Sequence, residues 1–125
     1  MSTKNEISDQ FVVWNDALQT GDPDNVVACY AADAILLPTV SAKVRHNHDE
    51  IRDYFVHFLS KKPNGRIIEQ NIRIYDTIAI NSGLYTFSLM ENGGRADVAA
   101  RFTFVYQKYE DGWLIIEHHS SILPA

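Results

Sequence analysis

Residues 99–124 read AARFTFVYQKYEDGWLIIEHHSSILP, and this segment carries the clearest structural signals in the chain. Two runs rich in aromatic and β-branched residues flank Asp111-Gly112, a dipeptide suited to the positive φ angles of tight hairpin turns. The segment therefore predicts two antiparallel strands joined by a short turn. Because neighbouring side chains of a strand point to opposite faces, His118 and His119 cannot both enter one pocket.

The residues before this hairpin predict further strands of the same sheet. Strand-like runs cover residues 66–75, 78–90, 95–108 and 113–121, and short turns at 91–94 and 109–112 separate the last three. Short connections of this kind make the last three strands an antiparallel meander.

Helical signals dominate the first half of the chain. Apolar residues recur at helical spacing over residues 3–20, where Thr3 and Glu6 have the spacing of a capping box. Asp22-Pro23 begins a second, short helix that runs to about residue 30. A short strand at 34–37 and a loop at 39–46 precede a third helix, which Asn47 caps. The order predicts an α+β fold in which three N-terminal helices pack on a curved antiparallel sheet with a mixed edge, as a cone with a cavity at its mouth.

Size and composition restrict the possible functions. A length of 125 residues suits a single domain spanning 1–125, and the net charge of −5 argues against a nucleic-acid partner. The one cysteine, Cys29, excludes an internal disulfide. No stretch has the pattern of a signal peptide or a membrane span, so we expect a cytoplasmic protein that does not bind a membrane. No cofactor motif is present, and we expect no cofactor.

The two faces of the late strands predict self-association. Phe102, Phe104 and Tyr106 alternate onto one face, whereas Thr103 and Val105 lie on the other. A sheet with one solvated face alternates more cleanly between apolar and polar residues. A second copy of the chain is the simplest cover for the second face, which predicts a homodimer or a larger ring.

Several segments together resemble a known family. The first helix carries Phe11, Trp14 and Ala17 before Gly21-Asp22, and YAADAILLP follows at 30–38. DYF stands at 53–55, SGLYTF at 82–87 and GWLIIEHHSS at 112–121. This pattern is similar to the NTF2-like superfamily, and within it to the association (hub) domain of calcium/calmodulin-dependent protein kinase II and its stand-alone bacterial relatives. The resemblance implies a cone with a hollow for a small molecule and self-assembly through the sheet. It implies no kinase activity, because the Gly-rich nucleotide loop and the HRD and DFG motifs are missing.

The resemblance also implies which side chains line the hollow. Matching the last strand to the family pattern points Leu114, Ile116, His118 and Ser120 inward, and Trp113, Ile115, Glu117, His119 and Ser121 outward. The expected lining is an aromatic set with polar tips, suited to a small, partly apolar ligand: Trp14, Tyr30, Tyr54, Phe58, Tyr85, Phe102, Phe104, Tyr106, His118 and Ser120. On the opposite face we expect a subunit interface that contains Arg101, Thr103, Glu117 and His119. The positions that match the basic, carboxylate-accepting groups of the hub cavity are Tyr85, Phe104 and Ser120, which argues against an anion there.

Two further interpretations remain open. The chain could be a lyase, isomerase or cyclase of the SnoaL or ketosteroid-isomerase type, in which His118 and a tyrosine such as Tyr85 act as the catalytic pair. Leu37 stands before Pro38, where the isomerases of this superfamily carry their carboxylate base, so an oligomerising, non-catalytic domain is favoured. The run 45–49, RHNHD, superficially resembles a metal site, but a loop leading into a helix cap explains it, and we expect no metal.

Overall fold

The computed structural model describes residues 3–124. Three α-helices come first in the broad order that the sequence predicts: α1 (Lys4–Gln19), α2 (Pro23–Val27) and α3 (His48–Phe58), with a 3-10 turn at Leu59–Lys61. Each helix begins at a side-chain cap, supplied by Thr3, Asp22 and Asn47 respectively. The capping box of Thr3 and Glu6 is present in full. The second helix is shorter than predicted because Tyr30 already belongs to the first strand.

Five strands form one mixed sheet. They are β1 (Tyr30–Leu37), β2 (Asn64–Tyr75), β3 (Ile78–Glu91), β4 (Gly94–Tyr109) and β5 (Gly112–Ile122). The order across the sheet is β1-β5-β4-β3-β2, and β1 runs parallel to β5 while every other neighbour is antiparallel. The predicted α+β class, the antiparallel meander and the mixed edge are therefore confirmed, although β1 begins four residues before the predicted strand.

The core lies between the helices and the inner face of the sheet. The apolar positions of α1 and the alternating aromatic positions of β4 belong to one buried cluster: Ile7, Phe11, Trp14, Leu18, Phe102, Phe104 and Tyr106. Helix α3 adds Ile51, Tyr54, Phe55 and Phe58 to the same cluster. None of the helices within residues 3–124 has the length and apolar character needed to cross a bilayer.

A β-bulge in β5 changes which residues face the core. Val105 pairs with Glu117, but Tyr106 pairs with Ile115, so Ile116 is an extra residue that has no pairing partner on β4. On the N-terminal side of this bulge Trp113 and Ile115 are buried, as His118 is on the other side. The expectation that Leu114 and Ile116 point inward and Trp113 and Ile115 outward is wrong, because it assumed unbroken alternation along the strand.

Candidate functional site

A small cavity opens beside His118, between α3, the end of β1 and the inner face of the sheet. Its volume is about 30 Å³, which is above the roughly 10–15 Å³ that a cavity needs to hold one water molecule. Six of the side chains expected to line it do so: Trp14, Tyr54, Phe58, Tyr85, His118 and Ser120. His118 is 3% exposed and belongs to the lining, whereas His119 is exposed. Strand alternation therefore separates the two histidines as expected.

Four of the expected residues are buried in the core and do not line the cavity. They are Tyr30, Phe102, Phe104 and Tyr106, and each is at most 3% exposed. The reason is that other rings cover them on the cavity side. Phe104 stacks against His118 with ring centroids 4.0 Å apart, and Phe102 stacks against Tyr85 at 4.7 Å. The prediction that they point inward was correct, but they pack behind the side chains that line the cavity.

The end of β1 supplies lining residues that the sequence analysis missed. Leu36 pairs with His118 across the parallel β1–β5 contact, so the residues that follow it reach the mouth of the cavity: Pro38, Thr39 and Val40. Further apolar lining comes from Phe55, Phe87, Leu89, Val98 and Ala100. The sequence contains a usable signal for the first group, because Pro38 ends a strand beside the predicted histidine strand.

Two tyrosine hydroxyls hold the ring of His118. The Tyr30 hydroxyl lies 2.9 Å from Nδ1, and the Tyr85 hydroxyl lies 3.2 Å from Nε2. The Trp14 indole Nε1 donates to the Tyr30 oxygen at 3.1 Å, and the Tyr85 hydroxyl donates to Ser120 Oγ at 2.6 Å. These buried contacts fix both the position and the plane of the imidazole.

The donors determine the tautomer of His118. Because the Tyr85 hydroxyl donates to Ser120, it can only accept from His118, which places the ring proton on Nε2. Nδ1 then accepts from the Tyr30 hydroxyl, whose oxygen already accepts from Trp14. Ser120 Oγ also shares a hydrogen bond with the Thr39 hydroxyl at the mouth. The six side chains form one hydrogen-bonded chain in which the donors point from Trp14 toward Ser120.

The cavity is uncharged at neutral pH. Burial, with a smaller contribution from the nearby His119, lowers the pKa of His118 to about 3. Burial also raises the pKa of Tyr85 and that of Tyr30 above the ordinary tyrosine value. All three side chains therefore stay neutral, and the arrangement can offer hydrogen bonds to a neutral group but holds no charge for an anion or a cation.

The four residues expected at an interface lie together on the outer face of the sheet. Thr103 pairs with His119 across β4 and β5, in the centre of the group. Arg101 lies two residues from Thr103 along β4, and Glu117 lies two residues from His119 along β5, on opposite sides of this pair. Within residues 3–124, neither Arg101 nor Glu117 has an ion-pair partner.

The run at residues 45–49 is used in local structure. His46 Nδ1 lies 2.9 Å from the Glu50 carboxylate, and His48 Nε2 lies 2.8 Å from the backbone oxygen of Tyr30. The two rings therefore serve different partners. Across residues 3–124, no three metal-binding side chains stand close enough together to hold an ion.

Comparison with known proteins places this geometry among related domains. A family model of the calcium/calmodulin dependent protein kinase II association domain matches residues 3–124. A Xanthomonas campestris structure assigned to that association domain is 47% identical, with a TM-score of 0.95, 99% of this chain covered and 90% of the other. The Chlamydomonas reinhardtii CamKII hub homology domain is 16% identical with a TM-score of 0.79, covering 98% of this chain and 100% of the other. A Streptomyces avermitilis protein of the NTF2-like family, assigned as a dehydratase, is 12% identical with a TM-score of 0.85 and 97% coverage of both chains. No curated protein sequence matches the chain.

Proposed function

Because the chain belongs to the calcium/calmodulin dependent protein kinase II association domain family, we propose that it functions as a self-assembling NTF2-like domain, a homodimer or larger ring without kinase activity. The observation that carries the proposal is the extent of the match, which spans residues 3–124. The relative that is 47% identical is assigned to the same association domain. Assembly of copies is the activity that this family name describes.

The outer face of the sheet has the composition that a second copy requires. Ile80 pairs with Val105, and Leu84 pairs with Arg101, so these side chains share the face that carries Thr103 and His119. The apolar members are partly exposed and do not belong to the buried core cluster. An apolar patch with polar and charged residues around it is typical of a contact between subunits.

The charges on this face suit a two-fold contact. Glu117 pairs with Val105 across β4 and β5 of the same chain. Val105 and Arg101 are four residues apart on β4, so Arg101 and Glu117 are separated by roughly 13 Å along the strand direction. If a two-fold axis passes near the pair of Thr103 and His119, it brings Arg101 of one subunit against the partner's Glu117, and the reverse contact forms by symmetry. The two ion pairs would then supply the partners that Arg101 and Glu117 lack in a single chain.

A charge-swap experiment tests this interface. We expect Arg101→Glu alone, or Glu117→Arg alone, to weaken association at least about tenfold, because each creates two like-charge contacts. The double variant Arg101→Glu/Glu117→Arg is expected to recover most of the loss. Sedimentation equilibrium over a dilution series measures the change, with Lys4→Glu on the first turn of α1 as a control that leaves association unchanged. Single variants that associate like the unmodified protein would contradict the proposed face.

Within each subunit, we propose that the cavity receives a small, partly apolar ligand. Its uncharged, largely aromatic lining supports this, although its volume of about 30 Å³ is small for an organic molecule. Val40 at the mouth is 48% exposed and is the side chain with most room to move aside. Native mass spectrometry of protein purified under mild conditions is expected to show added mass that disappears on denaturation; ligand-free spectra from every preparation would contradict the proposal.

Catalysis by His118 with Tyr30 or Tyr85 is the alternative function, and one observation favours it: both ring nitrogens lie within hydrogen-bond distance of a tyrosine hydroxyl. Two observations weigh against it. The pKa values of these three groups lie far from neutrality, where general acid–base catalysis is efficient. The cavity beside them has a volume of only about 30 Å³. We therefore propose binding and assembly as the function.

A further inference from the structure

A second pocket of about 250 Å³ lies beside the cavity, on the outside of α3. Its walls include Val40, Tyr54 and Phe58, which also line the cavity, and three basic side chains: Arg45, His57 and Lys61. We call this pocket the vestibule. It is more than large enough for a small organic molecule. None of its basic residues is among the positions that match the basic groups of the hub cavity, which are Tyr85, Phe104 and Ser120.

Arg45 is the buried charge of the vestibule. Its side chain is 7% exposed. One terminal nitrogen, Nη1, donates to Ser41 Oγ at 3.0 Å and to the backbone oxygen of Lys43. The guanidinium also lies 5.4 Å from the centre of the Tyr54 ring. These contacts hold the group against the wall of the pocket.

The remaining donors of Arg45 are poorly satisfied. Nε is buried and has no hydrogen-bond partner within residues 3–124. The nearest carboxylate belongs to Asp53, whose Oδ2 lies 3.9 Å from Nη2 and whose side chain is 64% exposed. A buried guanidinium is costly unless a carboxylate or equivalent acceptor compensates it. Arg45 therefore has the donors and the charge for an anion that the chain itself supplies only weakly.

The other charged groups leave the vestibule open to an anion. His57 Nε2 lies 4.0 Å from Asp53 Oδ1, and both side chains are mostly exposed. Lys61 Nζ lies 2.9 Å from Glu91 Oε1, and this pair is also partly exposed, at 38% and 41%. Exposed pairs of this kind rearrange at little cost. A ligand carboxylate can therefore displace Asp53 from Arg45 without breaking a buried contact.

We propose that the vestibule binds a small carboxylate that carries an aromatic or aliphatic group. The carboxylate pairs with Arg45, which can present two donors to a planar anion. The apolar part lies against Tyr54, Phe58 and Val40, on the side that leads to the cavity. The site is complete within one chain, so it is independent of the assembly proposed above.

Calorimetric titration with benzoate tests this proposal, with benzamide as a neutral molecule of nearly the same shape. At constant ionic strength and neutral pH, we expect benzoate to bind with a one-to-one stoichiometry per chain and benzamide to give no measurable binding. Equal binding of the two molecules, or no binding of benzoate, would overturn the proposal.

Variants identify the residue responsible. Arg45→Gln is expected to weaken benzoate binding about tenfold, the effect of losing one charge-assisted contact of roughly 1.4 kcal/mol. Asp53→Asn is expected to strengthen it about threefold, because the competing carboxylate is gone. Arg52→Gln is the matched control: Arg52 lies on the same helix but pairs with Asp24 at 2.7 Å, away from the pocket. It is expected to leave binding unchanged.

Asp53→Asn and Lys61→Gln keep the test decisive if Arg45→Gln disturbs the loop at Ser41. Both change exposed side chains, so their thermal unfolding should match that of the unmodified protein. Tighter benzoate binding by Asp53→Asn together with weaker binding by Lys61→Gln would support the proposal. Unchanged benzoate binding by both variants would overturn it. Self-association of each variant is also measured. Absence of benzoate binding would overturn the proposed site in the vestibule, whereas absence of self-association would overturn the proposed interface.

Discussion

At the scale of single residues, the buried imidazole of His118 affects the stability of the domain because it has to stay neutral. The buried ring stacks on Phe104 and hydrogen-bonds to the hydroxyls of Tyr30 and Tyr85. Protonation would put a charge where only neutral groups can receive it, which is why burial lowers its pKa to about 3. The residue therefore works as a neutral hydrogen-bonding piece of the core.

This pKa shift predicts a loss of stability in acid. In the unfolded chain the pKa of His118 returns to about 6.5, so between about pH 6.5 and 3 the unfolded state binds more protons than the folded state. The free energy of unfolding is unaffected by this group above pH 6.5. Below that it falls as the pH falls, by up to about 1.4 kcal/mol per pH unit.

Urea unfolding at several pH values measures the effect. His118→Gln is expected to lower the free energy of unfolding at pH 7 and to flatten its dependence on pH between 6.5 and 5, because the titrating group is gone. His119→Gln, which changes the exposed neighbour, should leave the slope as it is in the unmodified protein. If the His118 and His119 variants have the same slope, the buried neutral imidazole is not the cause of acid sensitivity.

At the scale of the elements, irregularities in strand pairing determine the final register of the sheet, and one of them lies in β2. In β2 the pairing shifts between Ile67 and Glu69, and the intervening Ile68 is 57% exposed. This shift brings the backbone of Glu69 against Gly83 on β3. A Cβ atom added to Gly83 would lie 2.1 Å from the carbonyl oxygen of Glu69, so no side chain fits there.

Gly83→Ala is expected to lower the free energy of unfolding by about 2–3 kcal/mol, because either the bulge or the neighbouring strand has to move. Gly94→Ala provides the control, since a Cβ atom at that position meets nothing within 4 Å. Its effect should stay within about 0.5 kcal/mol. Chemical denaturation of both variants measures the difference, and two equal losses would show that the close approach at Gly83 costs nothing.

Local signals made the helices and most strand ends predictable. Thr3, Asp22 and Asn47 are capping residues that act on neighbouring backbone, so their sequence neighbourhood is enough to recognise them. The bulge at Ile116 was not predictable, because LIIE contains neither glycine nor proline and the extra residue shows only in its pairing with β4. The directions inferred for residues 113–116 were consequently displaced by one residue, whereas His118 and Ser120 are buried as expected.

The candidate site shows the same division. Alternation correctly predicted that Phe102, Phe104 and Tyr106 point inward, but only the packing of rings reveals that they lie behind the cavity wall. Arg45 went unnoticed because a loop residue before a helix cap is usually solvated. Its burial depends on contacts with Ser41 and Tyr54, which no periodicity records.

For the whole molecule, the sheet separates two regions with different proposed roles. Its inner face, with the helices, encloses the core and the small cavity next to the vestibule. Its outer face carries partly exposed apolar side chains and the charges of Arg101 and Glu117, which have no ion pair within residues 3–124. The proposed contact with a second copy would account for a second face that is not simply polar.

The mass of the unmodified protein in solution tests self-assembly most directly. Sedimentation equilibrium at micromolar concentrations is expected to give an integral multiple of the chain mass of 14.2 kDa, two or more, with no change over a tenfold dilution. The same result should hold in moderate salt, because apolar contacts support the proposed interface as well as ion pairs. A single species of 14.2 kDa throughout the dilution series would contradict the proposal that this domain functions as an assembly of its own copies.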